Sequence, residues 1–195
     1  MPQKRPRPRS SAASIYQLRI TLQEIQPPIW RQLLVPGTTT LAELHAIIQD
    51  AMGWQNYHLY EFTIRNERFE QPDPEAEGKD ATRVKLKDLS LEVGDTFEYV
   101  YDFGDDWHHE VILEGRVHAD PEADYPLCMD GARACPPEDC GGPGGYTELL
   151  RVLGNPEDPE YAESTQWVGK HFHPECFDLK AANRILMLAY ARGAV

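Results

Sequence analysis

The chain has no long hydrophobic run. None of its apolar stretches approaches the ~20 residues that a membrane-spanning helix needs, and no apolar stretch follows the basic residues near its first position. A secretory signal requires such a stretch directly after a basic start. The sequence therefore predicts a cytoplasmic protein that does not associate with a membrane.

Basic residues are also scarce. The 195 residues include 19 Lys and Arg against 32 Asp and Glu, and the formal net charge is −13. Four of the basic residues, Lys4, Arg5, Arg7 and Arg9, lie in the first nine positions, which leaves 15 basic and 32 acidic side chains, a balance of −17, in the rest. Because such a body repels phosphate backbones, we expect nucleic acid to bind only through residues 1–13. The Pro, Arg and Ser content of this basic tail predicts disorder.

Cysteine is sparse and unevenly placed. Of four cysteines, Cys128, Cys135 and Cys140 fall in one segment, residues 120–145, which also holds five prolines and five glycines. The segment shows no periodicity and predicts a long loop. Long loops in compact domains are often functional or clamped by a metal. In a reducing cytoplasm we expect these thiols to be free or metal-bound rather than disulfide-bonded.

Three thiols in one loop suggest a structural zinc site made by Cys128, Cys135, Cys140 and His109, since tetrahedral zinc needs four donors. His109 is the leading candidate for the fourth donor because its predicted strand leads directly into the loop. Cys176, His171 and His173 are the other candidates. The C-x6-C-x4-C spacing is not a standard zinc motif, so a second interpretation stays open. In that interpretation the cysteines are small buried hydrophobes that hold the loop against the sheet.

Hydrophobic periodicity predicts an α+β fold. Residues 41–52 recur at helical spacing between candidate caps at residues 38–40 and Gly53. The order strand–strand–helix–strand, with later strands and C-terminal helices, is typical of a mixed or antiparallel sheet rather than a doubly wound one. We expect a single domain over residues 14–195. Its predicted strands are at 15–22, 29–35, 59–64, 97–101 and 107–117, its predicted helices at 146–153, 159–168 and 179–191, and a surface loop is expected at 70–81.

Residues 102–109, with the sequence DFGDDWHH, predict a hairpin with a two-residue turn at Gly104-Asp105. That turn pairs Asp102 with Trp107 across the ladder. A buried His109 needs hydrogen-bond partners, and Asp102 is the predicted one. A structural role, metal ligation and proton transfer all stay open for this histidine. Side-chain alternation puts four residues on one core-facing side: Trp107, His109, Val111 and Leu113.

The chain resembles the plasmid pRiA4b ORF-3-like family over about residues 14 to 190. The resemblance implies an α+β sheet with a β-grasp-like start. It also implies an association with plasmids, insertion sequences or chromosomes of bacteria and archaea, and no established activity. The matching blocks are YDFGDDWHH at residues 101–109 and CPPEDCGG at residues 135–142, with shorter ones at 16–20, 28–31 and 177–178.

Some members of that family carry a resolvase label, which the residues of this chain do not support. A tyrosine recombinase needs an H-x-x-R element, and the chain contains none. A serine recombinase needs a serine near its N-terminus together with a basic DNA-binding module. Ser10, Ser11 and Ser14 lie in or beside the predicted tail, and the body is acidic. We therefore expect no recombination chemistry.

Three functions remain open. The first is a binding or accessory module, associated with mobile elements, that presents a groove to a protein, peptide or small ligand. The second is a hydrolytic or transfer enzyme that uses Asp102 and His109 with a cysteine or a metal. The third is a nucleic-acid accessory protein that acts through residues 1–13. The predicted groove residues are Trp30, Arg31, Trp54, Asp102, Asp105, Trp107 and His109.

Overall fold

A computed structural model describes residues 14–74 and 77–190. These residues form one eight-stranded sheet and four α-helices, which confirms the predicted α+β class. The predicted tail, residues 1–13, lies outside the described residues. The elements are, in chain order, β1 (Ser14–Leu22), β2 (Ile29–Pro36), α1 (Leu41–Met52), β3 (Tyr60–Ile64), β4 (Glu67–Glu70), β5 (Lys79–Asp80), a 3-10 helix (Leu86–Leu89), β6 (Thr96–Tyr101), β7 (Trp107–His118), β8 (Leu127–Ala132), α2 (Gly142–Leu153), α3 (Tyr161–Val168) and α4 (Leu179–Tyr190).

The sheet runs in the order β5-β4-β3-β6-β7-β1-β2-β8. All neighbouring strands are antiparallel except β4 and β5. Strands β1 and β7 are far apart in sequence but pair with each other near the centre of the sheet, where they join the hairpin of β1 and β2 to the hairpin of β6 and β7. The order alone does not establish a β-grasp-like start, so that detail stays a prediction.

The two faces of the sheet differ in polarity. Along β1 the buried residues alternate, and Leu18 and Ile20 pack in the same core as the apolar side of α1. The opposite face carries half-buried polar groups, where Gln17 and Gln32 both donate to Glu114. Such alternation is what an antiparallel sheet with one covered face requires. The helices therefore cover one face, and any site that they help to form lies on that side.

Helix α1 begins and ends at the predicted residues. Thr40 is the N-cap, and its hydroxyl accepts from the Glu43 amide while the Glu43 carboxylate accepts from the Thr40 amide. This reciprocal capping box satisfies two amides that the helix itself cannot pair. Gly53 ends the helix with φ of 96°, a left-handed conformation that glycine adopts without strain.

The predicted hairpin register is wrong by one residue. Trp107 pairs with Tyr101, and His109 pairs with Tyr99, so the turn spans the five residues Asp102–Asp106. Asp102 has a left-handed φ of 57°, and its carbonyl accepts from the Asp106 amide at 2.6 Å. Asp102 therefore leaves the ladder at the turn. The predicted core-facing side is confirmed, since Trp107, His109, Val111 and Leu113 are all buried.

Two predicted loops contain short strands. Residues 120–145 were expected to be irregular, but β8 lies within them and pairs with β2 at the edge of the sheet. Only one of its six residues, Cys128, is buried, so the strand shows no apolar alternation in the sequence. Residues 70–81 contain β5, which is only two residues long. Both strands are held in the sheet by backbone hydrogen bonds to a neighbouring strand. Such bonds do not require an alternating pattern of apolar and polar side chains.

Candidate functional site

The hairpin turn and the cysteine loop meet in the structure. The Asp105 carboxylate accepts from the Gly141 amide at 3.1 Å, and Gly142 lies against the Asp105 carbonyl. Three residues before Gly141 in the loop, Glu138 accepts from the Tyr101 hydroxyl at 3.1 Å. The two sequence blocks that carry the family resemblance therefore form one local structure.

His109 is fully enclosed within this region. Its Nδ1 donates to the Tyr99 carbonyl at 3.2 Å, and the ring lies edge-on to Trp54. Burial lowers the pKa of His109 to about 3, so the imidazole is neutral at ordinary pH. Asp102 is not its hydrogen-bond partner, which corrects the predicted pair. A buried neutral imidazole has no path to a substrate, so the geometry gives no support to an enzyme built on Asp102 and His109.

The three loop cysteines and His109 do not converge as a zinc site. Among the described residues, only one group brings three or more metal-ligating side chains within 4.8 Å of one another, and it contains none of these four. Burial raises the pKa of Cys128 to about 11 and that of Cys140 to about 12, and it raises the pKa of Cys135 as well. Neutral thiols, of which that of Cys128 is buried and the other two are half-buried against the core, fit the alternative interpretation, in which the cysteines pack the loop against the core. Zinc binding by this set stays a prediction without a preformed geometry.

Arg31 is a structural residue rather than a free ligand-binding cation. Its guanidinium donates to four carbonyl oxygens and lies 3.9 Å above the Phe177 ring. These bonds tie β2 to the end of α1 and to the chain after β8. Four of the five N–H donors of the guanidinium are therefore used for cross-linking. The four carbonyls belong to Trp30, Ala51, Ala132 and Arg133.

The predicted groove residues do not all line one groove. A surface groove of about 420 Å³ includes Arg31 and Trp54. Trp107 and His109 are buried in the core instead, and Trp30 lies on the opposite face of the sheet, where the Arg19 guanidinium covers its ring at 3.8 Å. The remaining two, Asp102 and Asp105, are in the hairpin turn beside the cysteine loop.

The groove is lined mainly by apolar residues, with three acidic residues among them. It lies between the end of α1, residues 134–138, and the C-terminal helices. Trp54 is fixed in its wall, because its indole nitrogen donates to the Pro136 carbonyl at 3.0 Å. The lining includes the apolar residues Met52, Trp54, Pro136, Pro137, Val168, Phe172, Phe177 and Ile185 and the acidic residues Asp50, Glu138 and Asp178.

A second cluster, formed by His58, Asp102 and Asp139, was missed by sequence reasoning. His58 Nε2 lies 3.5 Å from Asp102 Oδ2 and 3.1 Å from Asp139 Oδ1. Exposed apolar side chains of Tyr57 and Leu59 flank the histidine. The available signal was weak: a histidine between two apolar residues in a loop, and an acidic residue between two cysteines. Neither pattern indicates which distant segment it will meet.

A closed ring of hydrogen bonds holds the loop that carries His58. Gln49 donates to the Tyr99 hydroxyl at 2.9 Å, which donates to His45 Nδ1 at 2.7 Å. His45 Nε2 donates to the Asn56 side-chain oxygen at 2.6 Å, and the Asn56 amide donates back to Gln49 at 3.2 Å. Burial lowers the pKa of His45 to about 4, which keeps this ring neutral. The loop after α1 is therefore fixed to β6.

Residues 14–181 match the family described as plasmid pRiA4b ORF-3-like protein. The chain belongs to that family. The match confirms the resemblance seen in the hairpin and cysteine-loop blocks. The predicted plasmid association remains a prediction, since only the family's description mentions a plasmid.

Two relatives of this family member extend the comparison. The uncharacterized protein y4hQ of Sinorhizobium fredii (strain NBRC 101917 / NGR234) is 40% identical over 174 residues, which covers 88% of this chain and 87% of that protein. The crystal structure of the protein of unknown function MM3350 from Methanosarcina mazei Go1 is similar with a TM-score of 0.80 and 37% identity, over 87% of this chain and 98% of that one. The sequence match supports the family and the structural match supports the fold, and neither description assigns an activity.

No helix in residues 14–74 and 77–190 is long and apolar enough to span a membrane.

Proposed function

We propose that this protein is a binding module whose groove takes a short peptide with apolar and basic side chains. The observation that carries the proposal is the combination of a mainly apolar lining with three carboxylates, those of Asp50, Glu138 and Asp178. Arg31 is the one basic residue among the described residues that line the groove, and four carbonyl oxygens already occupy its guanidinium. A cationic partner therefore meets three carboxylates in the groove and a single guanidinium that is buried.

The charge of the whole molecule favours the same partner. The formal net charge of −13 attracts a cationic peptide at long range and raises its association rate. Apolar side chains of the peptide would then contact Trp54 and Phe172, which supply the kind of rigid aromatic surface that anchors peptides. The electrostatic part of the affinity should fall as salt is added.

Fluorescence anisotropy with a labelled peptide of alternating Leu and Lys tests the proposal. We expect Ile185→Arg, which places a cation on the groove wall, to weaken binding at least about tenfold, or ~1.4 kcal/mol. Leu188→Arg is the matched control: it adds the same charge to the exposed side of the same helix, α4, but Leu188 does not line the groove. A peptide of alternating Leu and Glu should not bind.

The proposal fails if Ile185→Arg and Leu188→Arg weaken binding equally, because the effect would then come from total charge. It also fails if the Leu and Glu peptide binds as well as the Leu and Lys peptide. The cytoplasmic location and the mobile-element association expected from the sequence remain predictions.

A further inference from the structure

The cluster of His58, Asp102 and Asp139 is built from three separate segments. His58 comes from the loop between α1 and β3, Asp102 from the first position of the hairpin turn, and Asp139 from the cysteine loop. Their ligand atoms all lie within 4.8 Å of one another. Convergence of three segments on one point, with each segment held by other contacts, is typical of a site rather than of random surface charge.

The contacts inside the cluster are not ordinary ion pairs. His58 Nε2 is buried and makes no hydrogen bond to any described residue, although two carboxylate oxygens face it at 3.1 Å and 3.5 Å. The Asp102 side chain is only 9% exposed. Its Oδ1 accepts from the Gly104 amide at 2.9 Å, which leaves Oδ2 directed at the histidine. A buried nitrogen beside two acceptors without a hydrogen bond needs an explanation.

His108 shows what a histidine paired with two carboxylates looks like in the same molecule. Its Nδ1 is bonded to Glu98 at 2.7 Å and its Nε2 to Asp106 at 3.0 Å, one carboxylate for each nitrogen. In the cluster, by contrast, two carboxylates face a single nitrogen at longer distances. The three ligand atoms of the cluster therefore surround one common point instead of forming separate histidine–carboxylate pairs.

The distances suit a bound metal ion. Two donor atoms that each lie ~2.1 Å from an ion, at the tetrahedral or octahedral angle, are about 3.0 to 3.4 Å apart. The two distances from His58 Nε2, 3.1 Å and 3.5 Å, are close to this range. An ion could therefore be accepted with little movement of its ligands.

We propose that His58, Asp102 and Asp139 bind one divalent first-row transition-metal ion. Two carboxylates balance its charge, and one imidazole nitrogen favours zinc, manganese, iron or cobalt over calcium and magnesium, which prefer oxygen ligands alone. Three protein ligands leave at least one position open. The Asp139 side chain is 69% exposed and that of His58 is 29% exposed, so a water or a small anionic ligand can reach the open position.

Neighbouring groups hold the ligands in place. Glu138, next to Asp139, accepts from the Gln55 amide at 2.7 Å and from the Tyr101 hydroxyl. These bonds link the cysteine loop to the loop of His58. Outer contacts of this kind orient metal ligands and raise affinity.

Titration of metal-stripped full-length protein with Co²⁺, followed by visible absorption, tests the proposal, with Zn²⁺ added afterwards as a competitor. We expect about one equivalent of Co²⁺ to bind and Zn²⁺ to displace it. We expect Co²⁺ binding to weaken at least about tenfold in each of three variants, His58→Ala, Asp102→Asn and Asp139→Asn. Loss of a ligand should lower the metal affinity by more than loss of an outer contact does. Both Asp→Asn changes keep a residue that tolerates the left-handed φ of 57° at these positions, so circular dichroism should show an intact fold.

Two control variants make the result specific. His108→Ala removes a histidine that also contacts two carboxylates, and it should bind Co²⁺ like the wild type. Cys135→Ser removes a thiol of the other candidate set and should also bind normally. The proposal is overturned if the wild type binds less than about 0.2 equivalents, if folded His58→Ala binds like the wild type, or if Cys135→Ser abolishes binding. The last outcome would assign the metal to the thiols.

Discussion

His45 and His109 are buried imidazoles whose pKa values burial lowers to about 4 and about 3, from an ordinary value of 6.5. On acidification the unfolded chain takes up protons on these residues before the folded chain does. Their contribution to stability is therefore complete above pH ~6.5 and is lost as the pH falls towards the folded values. Each histidine makes the free energy of unfolding fall by ~1.4 kcal/mol per pH unit within that window.

The slope of the free energy of unfolding against pH measures how many protons are taken up on unfolding. We expect His45→Gln to lower that number by about one between pH 6 and pH 5. Glutamine keeps a donor and an acceptor for the ring of hydrogen bonds but cannot be protonated in this range. Urea unfolding at a series of pH values measures the slope. An unchanged slope in His45→Gln would contradict the assignment of a lowered pKa to His45.

At the scale of elements, the start of α2 joins the hairpin turn to the cysteine loop. Gly142 has a left-handed φ of 67°, and a β-carbon there would lie 2.3 Å from the Asp105 carbonyl oxygen. The contact is with backbone, which cannot rotate away. A side chain at this position would therefore separate the two segments that carry Asp102 and Asp139.

Gly142→Ala should lower the free energy of unfolding by at least ~1 to 3 kcal/mol, the cost of a strained left-handed residue, with the steric overlap in addition. Gly144→Ala is the matched control in the same helix, because a β-carbon there meets nothing within 4 Å. That variant should be neutral or more stable by up to ~1 kcal/mol. Chemical unfolding of both variants gives the comparison, and equal effects would rule out a specific contact at Gly142.

At the scale of the whole molecule, charge separates residues 1–13 from the acidic remainder. The first nine residues carry Lys4, Arg5, Arg7 and Arg9, and the rest of the chain has a balance of −17. Phosphate backbones are repelled by such a body at distances up to about a Debye length.

We expect any binding of a single-stranded or duplex oligonucleotide to require residues 1–13. Filter binding with the full chain and with a chain that begins at residue 14 measures this. The slope of log affinity against log salt should not exceed about 4 in magnitude on duplex DNA, since four cations displace at most ~0.9 counterions each. Binding that persists in the shortened chain would contradict the prediction.

Local order was well predicted from the sequence, because its causes are local. The period of two in β1 and β7 follows from the pleat of a strand, and it placed Trp107 and His109 in the core. The caps at Thr40 and Gly53 act within one turn of their helix, so α1 could be predicted to the residue. The α+β class and the family likewise depend on the order of elements and on contiguous sequence blocks.

The tertiary structure decided where the functional groups meet. A two-residue turn and a five-residue turn are both compatible with residues 102–106, and the choice turned Asp102 away from His109 and towards His58. His58 and Asp139 are 81 positions apart in the chain, so no spacing rule could join them. The same holds for the groove, whose walls come from α1, the cysteine loop and α4. Sequence by itself determined the five longer strands β1, β2, β3, β6 and β7, the main helix and the charge, because these depend on neighbouring residues. Packing of distant segments determined the short strands and both candidate sites.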